Sequence, residues 1–423
     1  MYPAAVLDHE WYYYASGVAA SCALSGTATT GVNDGILNAG GKTVVLELTD
    51  DTWVAAGAAF NAQRQNIIDG MTSAGSGGAG WNVEIRDKEV VTAVVRTSNT
   101  VCTITLTANP QYGIATSESV TVTVPASALT TSGDAVVASP AFQINAVTVA
   151  LSGTGEGEQV EQSFRDGSKT LILTVTNDTW LDAGAAFNAT RQTIINGFTA
   201  NEGEAAGWNA EVRNNEVVGA VVRTSATVVT VTLSAAASYQ ITASERVNPF
   251  VLASALTDAQ VTKSVSNSIR VAPIEATLSG TLSPTSLESE IVDGGQTLIG
   301  TLDNDTWVAS GATFNAQRQA ILNGLTSAQS EAAGWNAEVR DKMAVGTVVR
   351  TNSVTVTITL TAAAAYSIST GEAITWTIPA AALTTSGVAL PASTTFTIGL
   401  NPAATGTKDF GRKLRHGRQR TLL

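Results

Sequence analysis

The chain is one stretch of 127 residues written three times, with no insertion or deletion between its landmarks. Trp53, Trp180 and Trp307 fall at that interval, as do Leu24, Leu151 and Leu278 at the front of each copy, Arg64, Arg191 and Arg318 in its middle, and Tyr112, Tyr239 and Tyr366 toward its end. A period this long is a whole domain, because solenoid repeats run to only a few dozen residues. The 423 residues therefore divide into an N-terminal arm (1–21), three domains of one fold (22–146, 147–273 and 274–402) and a C-terminal arm (403–423), with length enough for three separate cores. Repetition of a whole domain suits a spacer, a lattice element or a multivalent binder, and is an unusual way to build one catalytic centre.

Within a copy, short runs rich in Val, Ile and Thr alternate apolar with polar residues: Thr43-Val44-Val45-Leu46-Glu47-Leu48, Trp81-Asn82-Val83-Glu84-Ile85-Arg86, Val101-Cys102-Thr103-Ile104-Thr105-Leu106 and Val120-Thr121-Val122-Thr123-Val124. Such alternation buries one face of a strand and wets the other. Arg96-Thr97-Ser98-Asn99-Thr100 is a polar turn between two such runs, and Gly40-Gly41 or Gly294-Gly295 punctuate the approach to another. About seven strands per copy predict an all-β chain of three tandem immunoglobulin-like sandwiches. One segment breaks the rhythm in every copy. Phe60, Arg64, Ile67 and Ile68 share one side of a helix, and Asp69-Gly70-Met71, Asn196-Gly197-Phe198 and Asn323-Gly324-Leu325 supply a glycine stop and an apolar residue that packs back. Each sandwich is thus expected to carry one short inserted α-helix of about three turns.

Arg64, Arg191 and Arg318 lie on that helix's apolar stripe. The expectation is a structural role, buried against a tryptophan and bonded to carboxylate or carbonyl oxygens, because an unpaired buried charge is costly; the alternative is a guanidinium held out as an anion-binding finger. The Asp-Thr-Trp triplets at Asp51, Asp178 and Asp305 read as turn and capping chemistry before the helix, and too few further oxygens are fixed near them to hold calcium. Trp53, Trp180 and Trp307 are assigned to the core. So are Trp81, Trp208 and Trp335, because alternation through Trp-Asn-x-Glu turns them inward rather than out as a sugar-stacking platform. Cys22 and Cys102 give way to Val149 and Val229, then to Ala276 and Val356, so both read as buried free thiols. In the middle copy Arg246-Val247-Asn248-Pro249-Phe250-Val251 replaces a continuous strand; proline cannot donate to a ladder, which predicts an edge, a bulge or a break there. The joins at residues 142–149 and 269–274 are short and β-prone, which limits bending between domains.

The formal net charge of −12 hides an asymmetry. Lys408, Arg412, Lys413, Arg415, Arg418 and Arg420 stand against only Asp409, a net of +5 that leaves −17 on the residues before them. An acidic body disfavours nucleic acid or an anionic membrane as partner, whereas a basic tail seeks an acidic surface. At the other end Trp11, Tyr12, Tyr13 and Tyr14 form an aromatic run in a segment outside every repeat, a density that anchors interfaces. These ten residues of the two arms are the candidate partner-binding set. The stretch before Cys22 has no Lys or Arg and is interrupted by Asp8, His9 and Glu10, so no signal peptide is read, and no apolar stretch is long enough to span a membrane.

No catalytic residue, metal site or cofactor is assigned. His9 and His416 are the only histidines and both lie in the arms, so no domain contains a histidine general base. There is no Gly-x-Ser-x-Gly elbow, no P-loop and no cluster of His or Cys ligands. Glu288 and Glu290 alternate on a polar stretch, as a solvated face does.

The string from Leu24-Ser25-Gly26-Thr27 through Asp-Thr-Trp, Phe-Asn-Ala-x-Arg-Gln, Gly-Trp-Asn-x-Glu and Val-Val-Arg-Thr to Val124-Pro125-Ala126-Ser127-Ala128-Leu129 resembles the Ig-like modules of accessory virion proteins in tailed bacteriophages. The resemblance covers all three copies, roughly residues 22–402, and neither arm; the middle copy departs from it at Pro249. It implies a non-enzymatic structural protein that decorates or projects from head or tail, assembled in the host cytoplasm and localised to the virion. Its partners are then capsid, portal or tail proteins and copies of itself, held through the terminal arms. A multivalent glycan-binding protein acting on the host surface is the alternative, and a bacterial surface Ig-repeat protein a third reading.

Overall fold

The computed structural model describes residues 19–402, apart from Gln260 and Ser330. The chain forms two compact units, Met1–Pro273 and Ile274–Leu423. The first holds two sandwiches with separate cores that divide between Ala146 and Val147; the second holds one.

In the first sandwich the strands are β1 (Ser21–Ser25), β2 (Val32–Asn33), β3 (Thr43–Thr49), β4 (Met71–Ser73), β5 (Val91–Arg96), β6 (Val101–Leu106), β7 (Glu118–Val124), β8 (Val136–Ser139) and β9 (Phe142–Asn145). One sheet runs β1-β3-β6-β5, antiparallel throughout. The other runs β2-β9-β7-β4, with β2 parallel to β9, and β8 pairs with both β7 and β1 and so ties the sheets together. The alternation written in the sequence is obeyed: Val44, Leu46 and Leu48 of β3 face Val120, Val122 and Val124 of β7 as buried residues of one core. The same two sheets recur in the second and third sandwiches. All three are Ig-like β-sandwiches, as the sequence predicts.

The inserted helix is present in every copy. It is continuous over Ala185–Asn196 and Ala312–Asn323, and in the first copy it is split into α2 (Ala58–Asn61) and α3 (Arg64–Asp69); a shorter helix, α1 (Asp34–Asn38), precedes β3. Gly70, Gly197 and Gly324 end the long helix in right-handed backbone, with φ of −71°, −67° and −70°. They are glycines because a β-carbon there would run into the backbone oxygen of Thr123, Phe250 or Thr377 on the neighbouring strand.

Two sequence expectations fail, each for a local reason. Trp81 to Arg86 is not a strand: Asn82–Arg86 is a π-helical turn, as are Trp208–Asn214 and Trp335–Arg340. The Asn82 side chain takes the place of a strand partner, accepting from Ser73 N at 2.9 Å and donating to Ser73 O at 2.7 Å. Asp87 N and Val90 N close i→i+5 bonds to Asn82 O and Ile85 O, both at 2.9 Å. Val83, which alternation would bury, is exposed. The strand containing Pro249 is neither broken nor at an edge. Glu245–Val251 is continuous and central, paired with Phe198–Ala200 on one side and with Ile269–Ala272 and Lys263–Ser264 on the other. Pro249 sits where the second flank passes from one partner strand to the next, so its missing N–H interrupts no ladder, and its carbonyl still accepts from Val265 N at 3.1 Å.

Candidate interaction surfaces

The arm residues Trp11, Tyr12, Tyr13, Tyr14, Lys408, Arg412, Lys413, Arg415, Arg418 and Arg420 lie outside the described residues. The tryptophans are core. Trp53, Trp180 and Trp307 are buried, with each indole N–H donating to a hairpin carbonyl: Thr100 O at 2.9 Å, Thr227 O at 3.1 Å and Val354 O at 3.1 Å. Trp81, Trp208 and Trp335 are equally buried and donate to Met71 O, Phe198 O and Leu325 O at 3.0–3.1 Å. Cys22 and Cys102 are free and buried, and desolvation pushes their thiols up to about 11 and about 12.

Asp51, Asp178 and Asp305 do not cap the helix. Asp51 accepts from Thr52 N at 2.7 Å and then reaches across to Thr131 N at 3.1 Å and Ser132 N at 2.8 Å, tying the turn after β3 to the loop before β8. Asp178 and Asp305 do the same with Ala259 N and Ser386 N. A residue about 80 positions away is invisible to a local reading of Asp-Thr-Trp.

The arginine expectation is corrected. Arg191 and Arg318 are exposed, and only Arg64 is half-buried, donating from Nε to Val94 O at 2.7 Å. A long side chain at the margin of an apolar stripe carries its charge outward rather than desolvate it. Beside these arginines lie Asn61, Asn188 and Asn315, all exposed at the same place in each copy.

The carbonyl that Arg64 takes belongs to β5, the edge of its sheet. Thr97 N bonds Val101 O, so in this antiparallel register Val95 and Thr103 form the bonded pair, and Val94 and Arg96 turn their N–H and C=O groups away from β6. The second and third copies repeat that register at Val218–Arg223 and Val345–Arg350, each an edge strand with a bulge at its start. There, among the described residues, no bond runs from Arg191 or Arg318 to the edge. Val95, Val222 and Val349 protrude on the three edges at 45 % exposure each, and the Nε of Arg96, Arg223 and Arg350 is buried without a partner. Sequence reasoning passed over these positions; the signal was the Val-Val-Arg-Thr motif, which places a valine on the wet face of every copy.

Two further arrangements carry buried charge. Asp34 of the first sandwich and Lys263 of the second form a buried ion pair, and Asp34 also accepts from Ile114 N at 3.2 Å and Val147 N at 3.3 Å. Asn33 Nδ2 donates to Asn177 O at 2.5 Å and Asn177 Nδ2 to Ala146 O at 2.8 Å, so this joint is hydrogen-bonded on both sides. A cavity of about 350 Å³ opens beside it, lined by Gly113, Ile114, Val147 and Val261 with Lys263 at its wall. Val136 and Leu390 stand where Lys263 does, and Glu161, the counterpart of Asp34, is neutralised within its own domain by Arg165 at 2.8 Å. In each core, a glutamate holds the π-turn: Glu118, Glu245 and Glu372 accept the backbone N–H of Trp81, Trp208 and Trp335 at 2.8–2.9 Å and the hydroxyl of Tyr112, Tyr239 and Tyr366 at 2.9–3.3 Å. Burial raises the Glu245 carboxyl above the usual carboxylate range and raises all three tyrosines. Among the described residues no group of three or more His, Cys, Asp or Glu is placed to hold a metal ion.

No family model and no curated protein matches this sequence. Among solved structures the chain is similar to protocadherin gamma B2 extracellular cadherin domains 3–6, at 8 % identity over 91 % of this chain and 77 % of that one, with a TM-score of 0.17. It is similar also to an endo-fucoidan hydrolase of glycoside hydrolase family 107, at 10 % identity over 78 % of this chain, with a TM-score of 0.15. A third is the Bacteroides ovatus mixed-linkage glucan utilization protein SGBP-B in complex with a mixed-linkage heptasaccharide, at 11 % identity over 72 % of this chain and 56 % of that one, with a TM-score of 0.13. The chain spans 38 % of the hydrolase's length. At such scores these likenesses carry no argument about function.

Proposed function

We propose that the chain is a non-enzymatic structural protein of a tailed-phage particle, decorating or projecting from head or tail and attached through its terminal arms. The supporting observation is that three Ig-like sandwiches repeat the Asn-Ala-x-Arg-Gln helix face beside an edge strand, exposed and open in the second and third and closed by Arg64 in the first, while their buried carboxylates and tryptophans serve packing. Tandem sandwiches of this kind are compatible with a binding or adhesion role; the virion assignment rests on the motif resemblance and on the contrast between the −17 body and the +5 tail. Particle incorporation tests it. Removing residues 404–423, or changing Trp11 and Tyr12 to Ala, is expected to leave the three domains folded and to abolish incorporation, read by negative-stain microscopy and composition of purified particles. Normal incorporation of both variants refutes attachment through the arms.

The exposed Arg191 and Arg318 also favour a second reading, multivalent binding of an anionic host-surface glycan. Binding on a glycan array that Arg191→Ala with Arg318→Ala abolishes, without change in incorporation, selects that reading.

A further inference from the structure

The three edge strands are alike in sequence and differ in one respect: Arg64 latches the first by bonding Val94 O, and the second and third are unlatched. At Val221 and Arg223, and at Val348 and Arg350, the register points backbone N–H and C=O groups outward, beside a protruding valine. Neither strand carries Lys, Glu or Pro among its six residues, and the bulge in each lies at Val218/Ala220 or Val345/Thr347, ahead of the outward-facing groups at Val221 and Arg223 or Val348 and Arg350. Each is flanked by an exposed guanidinium, Arg191 in the second sandwich and Arg318 in the third, and ends in a second arginine, Arg223 or Arg350, of which Arg223 already bonds Trp180 O at 3.4 Å and lies 3.8 Å from Asp182.

We propose that the open edges Val218–Arg223 and Val345–Arg350 accept, as an added antiparallel strand, the N-terminal arm of a second copy of this chain. The arm has the complementary chemistry. Trp11-Tyr12-Tyr13-Tyr14 is a run of strong strand formers whose rings cover a protruding valine, and Asp8 and Glu10, with no Lys or Arg among residues 1–18, bring carboxylates to the arginines. Eighteen residues ahead of the first sandwich reach at most about 60 Å, enough to arrive at a neighbouring molecule. The edge closest in sequence to the arm is the latched one, which removes the nearest site on the arm's own chain. This rests on and deepens the reading of the arms above: the aromatic arm joins copies to one another, and incorporation needs that joining as well as the basic arm's hold on the particle. Its test uses isolated protein, so either can fail without the other.

Sedimentation velocity of three full-length forms decides it: the parent, a chain lacking residues 2–16, and Val222→Lys with Val349→Lys. The parent is expected to self-associate in the micromolar range, and each variant alone to be monomeric. An equimolar mixture of the two variants re-associates, because one supplies arms and the other edges. If the lysine pair disturbs folding, Arg191→Glu with Arg318→Glu gives the same reading: association weaker by about tenfold, recovered by adding Asp8→Lys with Glu10→Lys. A monomeric parent overturns the proposal, since the arm then docks on its own chain or not at all. Unchanged association of the deleted chain overturns it in favour of edge-to-edge pairing, and a mixture that stays monomeric overturns it outright.

Discussion

The third core contains an exchange of volume that can be undone by mutation. Gly300 lies in the middle of Thr297–Asp303, where the other copies have Leu46 and Leu173, and a β-carbon on it would overlap the six-membered ring of Trp376. Trp376 in turn stands where the other copies have Val122 and Pro249. Its indole is 1 % exposed, stacks on Trp307 with centroids 5.7 Å apart, and donates to Ile321 O at 3.0 Å, so it cannot swing aside. Gly300→Leu therefore overpacks a fixed ring and should cost about 3 kcal/mol, the upper part of the overpacking range. Trp376→Val opens a large cavity and should cost about 4 kcal/mol. The double variant rebuilds the Leu46–Val122 arrangement of the first sandwich and should fall within about 2 kcal/mol of the parent, where additive losses would give about 7 kcal/mol, a coupling of at least about 5 kcal/mol. Scanning calorimetry of the full chain reads this as a transition lowered by roughly 10 °C in each single variant and largely restored in the double. Additive losses would mean that the two positions do not share one space, and the account of this core would be wrong.

Three other outcomes follow from buried ionisable groups. Because burial raises the Glu245 carboxyl, the stability it contributes is fully present below the ordinary carboxylate range and is lost as pH rises through the raised folded value. Glu245→Gln should therefore leave melting unchanged at acid pH and raise it at neutral pH; a lower transition at neutral pH contradicts this. Lys263→Leu strands the buried Asp34 carboxylate and should cost about 3–5 kcal/mol, much of it recovered by adding Asp34→Asn, as measured by urea denaturation followed through hydrogen exchange at the joint. With Cys22 raised to about 11 and Cys102 to about 12, both thiols should resist a disulfide reagent at mildly alkaline pH until denaturant is added, and prompt labelling of the native chain would show the first core to be open.

The repeat, the sandwiches and their helix were legible in the sequence because each rests on a periodic signal that tertiary contacts reinforce. What was not legible rests on pairs distant in sequence. Trp81-Asn82-Val83-Glu84-Ile85 alternates as a strand does, yet Asn82 satisfies the Ser73 backbone with its own side chain, and Glu118, 37 residues on from Trp81, anchors the turn as a helix. Pro249 argued for an edge because the handover between two partner strands at that position appears only in the register. Arg191 and Arg318 share the stripe of Phe187 and Phe314, but position on a helix fixes where a side chain leaves the backbone, not where a long one ends.

Three copies within one chain also act as an internal control on function. An invariant buried residue is explained when its partner is invariant too, as Glu118 with Trp81 and Tyr112 is matched by Glu245 and Glu372 with theirs. A departure is explained when it is compensated nearby, as with Gly300 and Trp376, Glu161 and Arg165, or Asp34 and Lys263. Gln65, Gln192 and Gln319 are exposed yet have a local reason, since each donates to the residue four positions on at the helix end. The side chains of Asn188, Arg191, Asn315 and Arg318 have neither a bonded partner among the described residues nor a compensating change, and they belong to the two sandwiches whose edges are open, whereas Arg64 closes the first. Packing accounts for the buried residues the copies share and leaves this strip of surface over, which is why binding is assigned to it and not to the cores.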